Sequence, residues 1–278
     1  MENHNNTTFE ARLLLQNTMA RFNWLWRLVA TAICFGLFGF AGLVLGIVVF
    51  PALWIIVHNP IRRRKIARWT VTGGFYLFIE IMNGLGVLRY RITGDEIVNT
   101  AQGCLVVANH PSLIDVVFLL SIFRDADCVV KSAMWSNPIT MVTMRTIEYI
   151  PNKDPEFVME ECIKRLKAGH NLILFPEGTR SIPGKTLDFK RGAAIIAIRA
   201  GSPCLPVSIN CTPTTLTKNE PWYRIPERRV MFRLDVLESI EVQSFIDESS
   251  NEKKASLALN DYLRLALSQN LKNESQSG

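Results

Sequence analysis

From Leu28 to Val57 the chain reads LVATAICFGLFGFAGLVLGIVVFPALWIIV, without a single charged position. About 20 such residues suffice to cross the hydrocarbon core of a bilayer, so the run is predicted to be a membrane segment. It begins too late and runs too long for a secretory signal peptide, and no cleavage pattern follows it. As one straight helix it would be about 45 Å long against a core of about 30 Å, so it must tilt, bend or re-enter. Pro51 and the glycines Gly36, Gly39, Gly42 and Gly46 offer places to bend or to pack closely.

Directly behind the run comes NPIRRRKIARW, with Arg62, Arg63, Arg64, Lys65 and Arg68. Positive charge at that density marks the cytoplasmic flank of a membrane segment, which sets the rest of the chain on the cytoplasmic side of a bacterial-type inner membrane. A collar of this kind also suits anionic lipid head groups; its position beside an apolar run argues against nucleic acid as a partner. A second apolar stretch, Trp69 to Leu88, carries Glu80 and Asn83. It reads as an interfacial or half-inserted helix, with a full second span as the alternative.

Beyond Leu88 the pattern changes to short β-rich runs alternating with amphipathic ones. RYRIT, CLVVAN, DCVVKS, LILFPEG, CLPVSIN and RVMFRLDVL read as strands; SLIDVVFLLSIF, PEFVMEECIKRLKAG, RGAAIIAIRAG and a stretch from Lys254 to Leu271 read as helices. Such alternation predicts an α/β fold, a largely parallel sheet flanked by helices, and the nearly continuous apolar character of CLVV and LILF suits strands buried on both faces. The expected organisation is a polar N-terminus (1–27), a membrane anchor (28–88), the α/β domain (89–271) and a disordered tail (272–278), with MENHNNTT at the start disordered as well.

Composition sharpens this picture in two places. Hydrophobic residues make up 48% of the 278 and charged ones 20%, and the mean hydropathy of +0.14 is high for a protein that lives wholly in water. The six cysteines, at 34, 104, 128, 162, 204 and 211, form no C-x-x-C pair and mostly sit among Val, Leu and Ile. They read as buried thiols in a reducing compartment, not as a disulfide framework or a zinc site.

The chemistry concentrates at two breaks in the apolar pattern. In ANHPSLIDVVF, His110 falls where a strand gives way to a helix, with Pro111 suited to the first helical position and Asp115 about one turn in. Ligands of open α/β sheets bind outside the carboxyl ends of the strands, which is where His110 lands. A carboxylate folded back onto one imidazole nitrogen leaves the other to accept a proton, which makes a general base. The same spacing is also a capping-box pattern, Ser112-x-x-Asp115, that serves a helix without any catalysis.

The second break, LILFPEGTRS, sets Glu177, Gly178, Thr179 and Arg180 at the end of another strand. Arg180 offers a planar fork for phosphate or carboxylate, Glu177 accepts from hydroxyls, and Gly178 permits close backbone approach; the plain alternative is a turn with an exposed ion pair. GTRSIPGKT resembles a P-loop only superficially, since the spacing would need glycine at Thr179. There is no G-x-S-x-G and no H-E-x-x-H, and His4, His58 and His170 lie in the terminus, beside the membrane run and in a turn.

Taken together, NHPSLID, FPEGTRS and LPVSI, in that order behind a membrane segment, resemble the glycerolipid acyltransferase family typified by lysophosphatidic acid acyltransferases, over roughly Arg89 to Asn210. The resemblance implies an enzyme that moves a fatty acyl group from acyl-CoA or an acyl carrier protein to a lipid hydroxyl, with no bound cofactor or metal and with membrane lipids as partners. His110 would be the base and Asp115 its orienting carboxylate. Glu177, Gly178, Thr179 and Arg180 would hold the acceptor, Arg180 by its phosphate, and Pro206 would line the acyl or acceptor pocket. Lys131, Lys153, Lys190 and Arg191 are further candidates for phosphate or carrier contacts.

One stretch departs from the pattern. Where family members acting on lysophosphatidic acid carry a block like F-I-D-R, this chain has EYIPNKD, so Asn152 replaces the arginine and Lys153 stands next to it. That leaves an amino-lipid or another lipid conjugate open as acceptor. A thioester or phosphoester hydrolase and a silent lipid-binding protein are the rival readings.

Overall fold

The computed structural model describes residues 2–276. Helix α1 (Glu2–Val44) continues through a π-helical turn (Leu45–Val49) into α2 (Phe50–Ile56), and α3 (Pro60–Gly84) returns toward the first strand. Then follow β1 (Leu88–Thr93), α4 (Asp95–Thr100), β2 (Leu105–Ala108), α5 (Asp115–Ile122), β3 (Asp127–Lys131), α6 (Ala133–Ser136), α7 (Pro138–Ile147) and β4 (Ile150–Asn152). The chain closes with α8 (Pro155–Lys167), β5 (Leu172–Leu174), α9 (Gly192–Ala200), β6 (Cys204–Thr212), β7 (Val230–Val236), α10 (Gln243–Asp247) and α11 (Glu252–Gln276).

All seven strands form one sheet in the order β1-β7-β6-β2-β5-β3-β4. The five from β6 to β4 are parallel, as the pattern predicts, whereas β7 runs antiparallel to β6 and parallel to β1. A parallel return from β6 would need a long crossover, usually helical. The connection 213–229 forms no helix, so the chain simply turns back.

Each face of the sheet has its own core. Val106, Ala108, Ile173, Leu205 and Val207 pack under α3 and α5, while Leu105, Val107, Leu172 and Cys204 pack under α9 and α11. Every residue of β2 is therefore buried, the mark of a central parallel strand. All six cysteines are buried and unpaired.

The second apolar stretch is not interfacial along its whole circumference. Val71, Phe78, Ile79 and Met82 of α3 are buried in the same core as Phe118 and Leu119 of α5, while Trp69, Tyr76 and Leu77 face outward. Arg68, expected in the exposed basic collar, is buried: its guanidinium donates to Asp127 and Asp125 and to the carbonyl of Ile147. Arg165 approaches the same Asp127 at 3.6 Å.

The charge-free run passes through a π turn, where the N–H of Phe50 reaches back to Leu45 O just ahead of Pro51. Both of its ends touch the α/β layer. Arg27 donates to the carbonyls of Pro226 and Glu227, and Trp54 Nε1 donates to Thr146 Oγ1 on α7. Between them Val29, Ile33, Leu37, Phe40, Ile47 and Val48 point outward.

Other sequence expectations shift. The helix after β2 starts at Asp115 instead of near Pro111, leaving 111–114 as a turn. The ends expected to be disordered are helical from Glu2 and as far as Gln276, with Met1 and residues 277–278 outside the described residues.

Candidate active site

Two neighbouring parallel strands, β2 and β5, deliver their carboxyl ends side by side, and the loops that leave them are knitted together. Asn109 extends the sheet by one rung: its side chain donates to Ile209 O and accepts from Ile209 N, both at 2.8 Å. His110 follows. Its backbone N–H donates to Glu177 Oε1 and Ser181 Oγ at 3.1 Å each, and its carbonyl accepts from Ser181 N at 2.7 Å. Ser181 Oγ in turn donates to Glu177 Oε1 at 2.6 Å. Glu177 thus fastens the His110 loop to the FPEGTRS loop.

The imidazole lies flat on Phe175, with ring centroids 4.2 Å apart and planes 20° from parallel. Nδ1 sits 2.8 Å from Asp115 Oδ2, which also accepts from Ser112 N at 2.7 Å. The carboxylate is acceptor to both, so the proton belongs on Nδ1 and the lone pair on Nε2. One carboxylate thus holds both the imidazole and the turn, but the capping box expected as the alternative does not form: α5 begins at Asp115 itself, and among the described residues the Ser112 hydroxyl has no partner. Asp115 is fully buried, and burial pushes its carboxyl up to about 6, against the opposing pull of the His110 contact and the Ser112 N–H.

Arg180 lies beside this dyad. Its Nη1 donates to the carbonyls of Leu216 and Thr217 at 2.8 and 2.9 Å, while Leu216 O also accepts from Leu113 N. Gly178 has φ +66°, and a Cβ there would come within 3.2 Å of Lys190 Nζ. Lys190 therefore crosses the tip of the loop, and its N–H donates to Pro176 O. Thr179 and Arg191 are exposed, the latter at the start of α9.

The remaining candidates lie apart. Lys131 ends β3, two strands from β2, or about 10 Å sideways. Lys153 follows the edge strand β4, about 14 Å from β2 by the same spacing. It reaches over Phe157 in a groove walled by Trp135, Tyr149 and Arg165, and Asn152 is exposed at the end of β4. Pro206 is buried within β6, level with Val107, so it lies inside the sheet. Sequence reasoning missed Asn109, Phe175 and Ser181 as supports, although all three stand inside or against the two motifs. It also missed Leu216, which no motif marks. Among the described residues no cluster of His, Cys, Asp or Glu is arranged to hold a metal.

The loop behind β2 thus presents a hydrogen-bonded His–Asp pair, and the loop behind β5 an arginine with one guanidinium nitrogen held by two carbonyls. Residues 89–210 match the family model described as Acyltransferase. It is 32% identical over 111 residues to the chloroplastic 1-acyl-sn-glycerol-3-phosphate acyltransferase BAT2 of Brassica napus, covering 38% of this chain and 32% of that one. It is 27% identical over 158 residues to the 1-acyl-sn-glycerol-3-phosphate acyltransferase of Pseudomonas aeruginosa, covering 54% and 60%. The chain spans less than two thirds of the length of either. The fold is shared with the crystal structure of the 1-acyl-sn-glycerophosphate (LPA) acyltransferase PlsC of Thermotoga maritima, at TM-score 0.69 and 22% identity over 89% of this chain and 96% of that one.

Proposed function

We propose that the protein is a membrane-bound O-acyltransferase that moves a fatty acyl group from acyl-CoA or an acyl carrier protein to the hydroxyl of a 1-acylglycerol-3-phosphate-like lipid. The observation that carries this reading is the 2.8 Å contact from His110 Nδ1 to a buried Asp115, beside an arginine fork. The acceptor hydroxyl attacks the thioester carbonyl carbon while Nε2 takes its proton. The tetrahedral intermediate then collapses with loss of the C–S bond, and the imidazolium returns the proton to the departing thiolate. A base so placed contributes about 10²–10⁴-fold in rate. The remaining fork of Arg180, with Lys190 close by, receives the acceptor phosphate, and Glu177, Gly178 and Thr179 shape the approach to it.

The outward apolar face of α1 and α2 serves as the anchor. About 40 Å of helix separates Arg27 from Trp54, yet both hold onto the same α/β layer. A span that crossed the bilayer would carry one end away from that layer, so the run lies in the cytoplasmic leaflet with its apolar side down.

The test is purified protein with an acyl thioester and 1-acylglycerol-3-phosphate, read by mass spectrometry of the diacyl product. His110→Ala should remove the product while leaving the fold intact. Equal thioester consumption without acceptor would establish a hydrolase instead, and acylation of an amino-lipid in preference to the phosphate would move the acceptor class.

A further inference from the structure

Arg27 stands in α1 immediately before the charge-free run and is only 3% exposed, and among the described residues no carboxylate is one of its hydrogen-bond partners. Its Nε donates to Asn23 Oδ1, Nη1 to Pro226 O at 2.8 Å and Nη2 to Glu227 O at 2.7 Å. A buried ionised side chain demands a reason, because burying it without full hydrogen bonding is expensive. What it grips is the long connection 213–229 between β6 and β7. Trp24 Nε1 grips the same connection at Ile225 O, and Phe35 packs against Trp222 with ring centroids 6.3 Å apart.

The other end of that connection forms part of the site. Leu216 O and Thr217 O hold Arg180 Nη1, and Leu216 O also takes the N–H of Leu113 in the His110 turn. Thr217 is pinned in its turn, since both its N–H and its hydroxyl donate to Glu220 Oε2. Irregular connections of this length inside an ordered domain are usually functional. This one is fastened on one side by the anchor helix and on the other by the arginine of the site.

We infer that Arg27 is a positioning residue: by fixing Pro226 and Glu227 it holds the 213–229 strap, whose Leu216 and Thr217 carbonyls aim Arg180 at the acceptor's anionic group. Docking of the anchor helix and acceptor binding are thereby linked. The inference rests on the acyltransferase reading for its kinetics but not for its structural claim.

The experiment compares the full-length wild type, Arg27→Met, Arg180→Met and the double variant in detergent micelles, with 1-acylglycerol-3-phosphate and an acyl thioester. Arg27→Met should raise the acceptor KM about tenfold, leave the thioester KM and kcat near wild type, and have little further effect in the Arg180→Met background. A merely structural loss would lower kcat or raise both KM values, and would add to the Arg180 effect; either result overturns the relay. Hydrogen exchange over 213–229 gives a second reading that needs no activity. Faster exchange in Arg27→Met supports the strap, and unchanged protection refutes it. Should Arg27→Met fail to fold, Trp24→Phe, which deletes only the donor to Ile225 O, carries the same two measurements with the same expected directions. A wild type that exchanges as expected but transfers no acyl group would refute the acyltransferase reading and leave the strap standing.

Discussion

Replacing Asp115 by Asn should make the protein more stable and less active at once. The carboxyl is held at about 6 in the folded state against an ordinary 3.8, because it is fully buried. Between those values the folded chain binds the proton more tightly than the unfolded one, so stability falls as pH rises from 3.8 to 6, by about 3 kcal/mol when the fall is complete. Asparagine keeps the shape. Its carbonyl oxygen can take the place of Oδ2 and accept from Ser112 N–H and His110 Nδ1–H, and its NH2 falls where Oδ1 already lacks a partner. One unpartnered polar atom replaces another, leaving removal of the buried charge as the net change. Equilibrium urea unfolding in micelles, followed by tryptophan fluorescence, should find the variant ahead of the wild type by up to about 3 kcal/mol at pH 8 and nearly level at pH 4. Turnover should drop by about 10²–10⁴-fold. Comparing the pair at each pH cancels the titrations of groups that do not interact with residue 115. A stability difference that does not change between pH 4 and pH 8 would refute the argument, as would retained turnover.

Wild-type activity should rise as pH climbs through about 6, where Asp115 ionises, and a pH–rate profile checks this. Arg68→Met should destabilise by about 3–5 kcal/mol because it strands the buried Asp127, whose remaining partners Arg165 and His170 stand 3.6 and 3.4 Å away; adding Asp127→Leu should recover much of the loss in a denaturant titration. Gly178→Ala should raise the acceptor KM and destabilise by about 1 kcal/mol, since φ is +66° and the new methyl crowds Lys190. Lys153→Ala should leave the acceptor KM unchanged, because that lysine stands over Phe157 at the far edge of the sheet.

What the sequence makes legible is whatever a local pattern can carry. LVVA and LIL are apolar at every position because both faces of those strands are covered, and the two polar motifs stand at their ends by continuity of the chain. The direction of β7 is not local: its alternation fits either orientation, and only the lack of a crossover helix decides it. β4 is three residues long with a proline in the middle, too short to show a period. Arg68 stands in a run of cations and reads as solvated, yet its partner Asp127 is 59 positions away. Leu216 serves Arg180 through its carbonyl, and a backbone carbonyl leaves no trace in residue type.

The apolar run fastened to the α/β layer at both Arg27 and Trp54 has a kinetic corollary. On the reading proposed above, an enzyme laid on a single monolayer draws its acceptor from that monolayer and returns the product to it, without any translocation. Its effective substrate concentration is then a mole fraction in a two-dimensional film. Diluting the acceptor with inert lipid at constant bulk amount should slow turnover, whereas diluting the suspension with buffer that keeps the acyl thioester at its original concentration should leave the rate per enzyme unchanged.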